Sequence, residues 1–161
     1  MSVRRNVLSW SLIVLVLGLV GVAAYYVLAP QLRPHVTVHL GDGVFLAQVA
    51  KTPETREKGL SGTPALRAEE AMLFIYNSDD KWPIWMKDMN YPIDIIWLDK
   101  DKKVVYIVKN APPESYPYEN FTPKQDARYV VEVAAGTVSS KSVAIGSIAV
   151  FDENNIEGWN L

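Results

Sequence analysis

Between Arg5 and Arg33 the chain carries no charged residue. Within that stretch, Leu12 to Ala29 reads LIVLVLGLVGVAAYYVLA, an unbroken run of apolar residues, tyrosine and glycine. Counted from Val7, the segment makes roughly 34 Å of helix at about 1.5 Å per residue. A hydrocarbon core of about 30 Å is spanned by that length. Trp10 lies near one end and Tyr25 and Tyr26 near the other, where interfacial aromatic rings are expected. Pro30 and Pro34 end the helix where the chain leaves the bilayer. Arg4, Arg5 and the terminal amine outweigh Arg33, which predicts a cytoplasmic amino terminus and an extracytoplasmic remainder. The competing reading is a cleaved signal peptide, with Val22-Ala23-Ala24 as its small-residue site. The apolar run exceeds an ordinary signal h-region, which favours an uncleaved anchor.

The rest of the chain is a different object. The first 33 residues hold three basic residues and no acid, so the remaining 128 carry 13 basic and 18 acidic residues, a net of −5. An acidic domain does not suit a nucleic-acid partner, which needs a basic face. The absence of cysteine removes disulfides, thiolate metal sites and thiol nucleophiles together. The chain divides into a cytoplasmic amino terminus at 1–6, an anchor at 7–29, a linker at 30–34, a β domain at 35–152 and a tail at 153–161.

Within the β domain the hydrophobic period is mostly two. His35–Leu40 alternates as a half-buried strand. Gly41-Asp42-Gly43 is a turn, and Val44–Ala50 returns as the second arm of a hairpin. Thr52 is an N-cap and Pro53 opens a two-turn helix that Gly59 ends. Strands follow at Ala71–Tyr76, Ile93–Leu98, Val104–Val108 and Tyr129–Ala134. Pro83–Met89 is an extended aromatic segment. Residues 110–124 hold four of the ten prolines and form a long ordered loop. Thr137–Val143 suits a short helix, and a final strand falls near Ile148–Phe151. Seven or eight short strands with one or two short helices predict a mainly β fold, a small antiparallel barrel-like domain.

At Trp85-Met86-Lys87-Asp88-Met89, followed by Pro92-Ile93-Asp94-Ile95-Ile96-Trp97-Leu98-Asp99, the chain resembles the family called Domain of Unknown Function 192. Arg56–Leu60, Met72-Leu73-Phe74, Asn110-Ala111-Pro112-Pro113 and Tyr129–Val133 with Ala135-Gly136 fit the same pattern in the same order. The likeness runs from about Val36 to Phe151. Ile84 stands where the family usually has Phe, Asp88 where it has Asn, and Ser61 where Met is common. The resemblance implies a small β-rich, barrel-like domain, often exported, and implies no settled activity.

The residues themselves point to one region. Trp82, Trp85, Tyr91 and Trp97 surround Lys87, Asp88 and Asp94, a combination that suits the groove of a binding module for a small molecule, a glycan or an envelope protein. Trp97, between Ile96 and Leu98, is expected in the core. Candidate ligand-binding residues are Trp85, Met86, Lys87, Asp88, Asp94, Arg56 and Asn110, with Arg56 a possible anion clamp. Lys87 and Asp88 also suit structural ion pairs with Arg56 or Glu132. Asp88 and Asp94 are a conceivable acid–base pair for an envelope hydrolase. A structural or scaffolding subunit is the third reading. Met86, Met89, His35 and His39 do not make a convincing metal set, and no cofactor is expected. Two partners are expected: the membrane, through the amino-terminal helix, and an envelope ligand or protein.

Overall fold

In the computed structural model of the chain, residue 10, residues 13–23 and residues 34–156 are described. The chain forms two compact units, Met1–Arg33 and Pro34–Leu161. In the first, residues 13–23 are helical and their side chains are exposed. The anchor expected at 7–29 otherwise lies outside the described residues. Among the described residues no helix is long and apolar enough to cross a membrane.

The second unit is built on six strands: β1 (His35–Leu40), β2 (Gly43–Ala50), β3 (Glu70–Asp80), β4 (Ile93–Leu98), β5 (Val104–Ala111) and β6 (Ala127–Ala134). Two short helices accompany them, α1 (Pro53–Lys58) and α2 (Thr137–Ser140). The sheet order is β1-β2-β3-β6-β4-β5. The β1–β2 hairpin turns at Gly41 with φ +57°, where an added Cβ would stand 2.1 Å from the Lys141 carbonyl oxygen. Only glycine fits there, because the conformation and the space both exclude a side chain.

The sheet is mixed, which corrects the all-antiparallel expectation. β2 and β3 run parallel, from Leu46 opposite Glu70 to Ala50 opposite Phe74. A parallel pair needs a crossover, and the segment carrying α1 supplies it. α1 starts as the sequence predicts. The Thr55 amide donates to Thr52 Oγ1 at 3.3 Å and the Thr52 amide donates to Thr55 Oγ1 at 2.9 Å. This reciprocal pair satisfies two otherwise unpaired amides.

The carboxy-terminal segment does not form a full strand. Instead it touches both edges of the sheet. Val150 bridges His39 of β1, and Ile148 bridges Lys103 beside β5. One segment thereby makes single-residue bridges at both ends of the strand order, a partial cover of the two sheet edges.

Strand alternation sorts the buried side chains into two clusters. Ala71, Leu73 and Ile75 of β3 and Ile96 and Leu98 of β4 join the first, with Val138, Ala149 and Phe151. Met72, Phe74, Tyr76, Ile93, Ile95 and Trp97 point to the opposite face and join Leu60, Ile84 and Met86. β3, β4 and β6 are therefore apolar on both faces, as sheet covered on both sides requires. The second cluster is roofed by α1, the aromatic segment before β4 and the loop before β6. That roof frames the candidate site.

Candidate ligand-binding cleft

The aromatic segment is pinned at several points. The Ile84 amide donates to the Phe121 carbonyl at 2.9 Å, and the Phe121 amide donates back to Ile84 at 2.8 Å. The Trp97 indole N–H donates to the Trp82 carbonyl at 2.9 Å. Ser61 Oγ donates to the Lys87 carbonyl at 2.7 Å, and the Gly62 amide donates to the Asp88 carbonyl at 2.7 Å. With its backbone held, the segment alternates: Ile84 and Met86 are buried, whereas Trp85 is 42% exposed.

Between this segment and α1 lies a cleft of about 430 Å³. Its walls are largely apolar: Leu60, Phe74, Tyr76, Trp82, Pro83, Ile84, Trp85 and Met89. Arg56, Glu57, Lys58, Ser61 and Asn120 contribute polar groups, and Glu132 also lines it. A cleft of this size with few polar groups is the usual form of a small-molecule site.

Tyr76 and Trp82 stack face to face, with centroids 4.1 Å apart and planes 8° apart. The Arg56 guanidinium lies 4.9 Å from the Tyr76 centroid. Arg56 Nη1 also donates to the carbonyl oxygens of Lys51 at 2.5 Å and Ile75 at 3.1 Å. These bonds tie α1 to β3 and use Arg56 as a brace. Burial pushes the Tyr76 phenol up to about 12, with Arg56 opposing and Glu132 adding to the shift.

Glu132 is the unusual residue of the cleft. On β6 it stands between Met72 of β3 and Ile95 of β4, its direct cross-strand partners. Directly opposed residues point to the same face, so Glu132 points into the second cluster. It is only 4% exposed. No hydrogen bond or ion pair from a described residue reaches its carboxyl group. Burial pushes that carboxyl up to about 8. A carboxyl group whose titration is perturbed by desolvation, sitting in a cleft, is a candidate functional residue.

The residues singled out from the sequence separate in space. Trp85 and Arg56 line the cleft. Lys87 and Asp88 sit in an adjoining shallow hollow with Glu54, Glu57, Lys58 and Ser61. Lys87 Nζ lies 5.9 Å over the Trp85 ring. Among the described residues, the ion pairs expected of Lys87 and Asp88 with Arg56 or Glu132 do not form. Met86 is 1% exposed and belongs to the second cluster, because the alternation that turns Trp85 outward turns Met86 inward. Asp94 is fully buried and bonded to backbone: the Asn110 amide donates to Oδ1 and the Val138 amide to Oδ2, each at 2.8 Å. Asn110 is an exposed residue at φ 52° that presents this amide. Asp94 and Asn110 thus fasten β4, β5 and α2 and do not line the cleft. Trp97 is fully buried, as expected of a core residue.

Glu132 is the functional candidate that the sequence patterns did not single out. Its signal is present: one carboxylate inside Tyr129-Val130-Val131-Glu132-Val133, a strand otherwise apolar on both faces. Among the described residues, no cluster of three or more His, Asp or Glu side chains is placed to hold a metal.

The fold and the cleft define a mixed six-stranded β domain with an aromatic-walled cavity. The chain belongs to the Domain of Unknown Function 192 family, described as an uncharacterized ACR, whose family model matches residues 36–150. A similar solved structure is a Sinorhizobium meliloti 1021 protein described as a candidate transcription regulator. It is 25% identical, with a TM-score of 0.67 over 74% of this chain and 93% of that one. A second is a protein of unknown function from Novosphingobium aromaticivorans DSM 12444. It is 29% identical, with a TM-score of 0.66 over 72% of this chain and 83% of that one. No curated protein matches the chain.

Proposed function

We propose that the domain is a binding module whose aromatic cleft takes a small molecule or a short segment of an envelope partner. The observation that carries this reading is the 430 Å³ cavity walled by Tyr76, Trp82 and Trp85 and lined by Glu132. Rings with braced backbones supply apolar contact area with little entropy left to lose. The hydrolase alternative gains no support from the carboxylates named for it. Asp94 is engaged by two backbone amides, and Asp88 faces the neighbouring hollow.

In this reading the chain is held at the cell membrane by its amino-terminal segment, with the β domain outside the cytoplasm. Two features support it: the uncharged stretch from Arg5 to Arg33, and the exposed apolar side chains of the helix at 13–23. A helix apolar on all sides belongs in an apolar medium. A carboxy-terminal alkaline phosphatase fusion, active only outside the cytoplasm, tests the orientation; an inactive fusion would refute it.

The cleft is tested by titrating 2-phenylethanol, a neutral aromatic probe, into the full chain while following the tryptophan indole N–H signals. Binding should shift the Trp82 and Trp85 signals. Trp85→Ala should weaken binding at least tenfold and leave the melting temperature within about 2 °C, because a half-exposed ring adds little to the core. A large loss of stability would mark Trp85 as packing. Unmoved signals in the wild type would show that the cleft takes no such ligand.

A further inference from the structure

The polar chemistry of the cleft narrows the class of ligand, given the binding reading above. Glu132 is buried at 4% exposure, faces the cavity and has no donor from the described residues. The first candidate for a counter-charge, Arg56, forms no ion pair with it among the described residues. Its Nη1 serves two carbonyl oxygens, and its guanidinium lies over Tyr76. Lys58 lines the cleft as well but is exposed to solvent on α1. The interior therefore holds a carboxyl group that no described residue neutralises.

The walls favour the same sign of partner. Aromatic faces attract cations through the ring quadrupole. Two such faces at this site already do so: Tyr76 under Arg56 and Trp85 under Lys87. An anionic ligand would meet the buried carboxyl group of Glu132. A neutral ligand would leave Glu132 to be satisfied only as a protonated donor. A ligand with an ammonium head supplies the missing partner, and its apolar body fills the space between Phe74, Trp82 and Ile84.

We propose that the cleft recognises an amphipathic organic amine, with the ammonium group paired to Glu132 and the apolar body held by the aromatic walls. Leaving a buried charge without its partner is costly, so a charged pair in such a site gives specificity for the ligand that completes it. Glu132 is thus the specificity-determining residue, and the rings supply most of the contact area.

Three probes of one size separate the possibilities: phenethylamine, 2-phenylethanol and phenylacetate. They are titrated at pH 8, where an alkylamine is still charged, into the full chain in a mild detergent, following the indole N–H signals. Phenethylamine should bind at least tenfold more tightly than 2-phenylethanol, and phenylacetate most weakly. Glu132→Gln should bring phenethylamine to the level of the alcohol and leave alcohol binding unchanged, which also reports that the variant is folded. Glu69→Gln, an exposed carboxylate outside the cleft, should change neither. Equal binding of amine and alcohol to the wild type overturns the pairing with Glu132 and leaves the cleft reading standing. Tighter binding of phenylacetate overturns it in favour of an anion site. Failure of all three to move the signals overturns both readings. Should Glu132→Gln fail to fold, the ranking of the three probes on the wild type still decides.

Discussion

The Val138 amide donates to Asp94 Oδ2 at 2.8 Å, joining the start of β4 to the first turn of α2. The other carboxylate oxygen takes the Asn110 amide at the same distance. One buried aspartate therefore holds three elements together. Asp94→Ala leaves two amides without an acceptor, and each buried unsatisfied group costs about 1–3 kcal/mol. The expected loss is about 3 kcal/mol by chemical denaturation, with Asp94→Asn about half as damaging because one acceptor survives. A loss below about 1 kcal/mol for the alanine variant would show that the two bonds contribute little.

Glu132 gives the domain a pH dependence of a definite sign. Burial raises its folded carboxyl from 4.5 to about 8. The charged and titratable groups that share the cleft with it are Arg56, Glu57, Lys58 and Tyr76. The Tyr76 phenol, pushed up to about 12, ionises well above this window. Below about pH 4.5 the Glu132 carboxyl is neutral folded or unfolded, and its contribution to stability is fully present. Above that pH the unfolded chain ionises while the folded one does not, so stability falls until about pH 8 and then levels. Each pH unit between the unfolded and folded values corresponds to about 1.4 kcal/mol, which sets the fall on the order of 5 kcal/mol. Glu132→Gln should abolish this slope and be the more stable protein at pH 8. Parallel slopes for the two proteins between pH 5 and 8 would contradict the assignment.

Local signals in the sequence carried most of the architecture. His35–Leu40, from its alternation, and Ile93–Leu98, from its apolar run, are strands with the predicted bounds, and Thr52-Pro53 opens α1. The parallel pairing of β2 and β3 was not legible, because a mixed sheet depends on where the crossover lands and not on either strand's own pattern. β3 also extends to Asp80 beyond its apolar half, through a register shift after Ile75. The polar residues 77–80 look like a turn in isolation and are held in the sheet by pairing at its far end. That Trp85 and Arg56 would line a cleft was legible because an exposed ring and a helix arginine differ from their neighbours in chemistry. The placements of Met86, Asp94 and Glu132 were not, since each depends on which face the side chain turns to, and that face is set by long-range register.

Gly41 and Gly136 separate two costs of replacing glycine. Both have positive φ, +57° and +86°. An added Cβ at Gly41 would meet the Lys141 carbonyl oxygen at 2.1 Å, whereas at Gly136 nothing lies within 4 Å. Gly136→Ala should therefore cost only backbone strain, about 1–2 kcal/mol. Gly41→Ala adds a clash with main chain that cannot turn aside, and should cost at least about 2 kcal/mol more. Thermal or urea unfolding of the two variants measures the difference. Equal losses would mean that the Lys141 segment yields freely.

Asp88 distinguishes a chemical role from a conformational one. Its backbone sits at φ 55°, in the left-handed region. Its carbonyl accepts the Gly62 amide at 2.7 Å, while no described residue bonds its carboxylate. Asparagine and aspartate tolerate this conformation better than other side chains, and β-branched residues tolerate it least. Asp88→Asn should thus leave stability within about 0.5 kcal/mol and leave cleft binding of 2-phenylethanol unchanged. Asp88→Val should cost about 1–2 kcal/mol, with the same probe affinity once folded. If the charge itself matters at this hollow, Asp88→Asn will weaken binding or activity without any change in unfolding midpoint, and the backbone explanation for an acidic residue at this position fails.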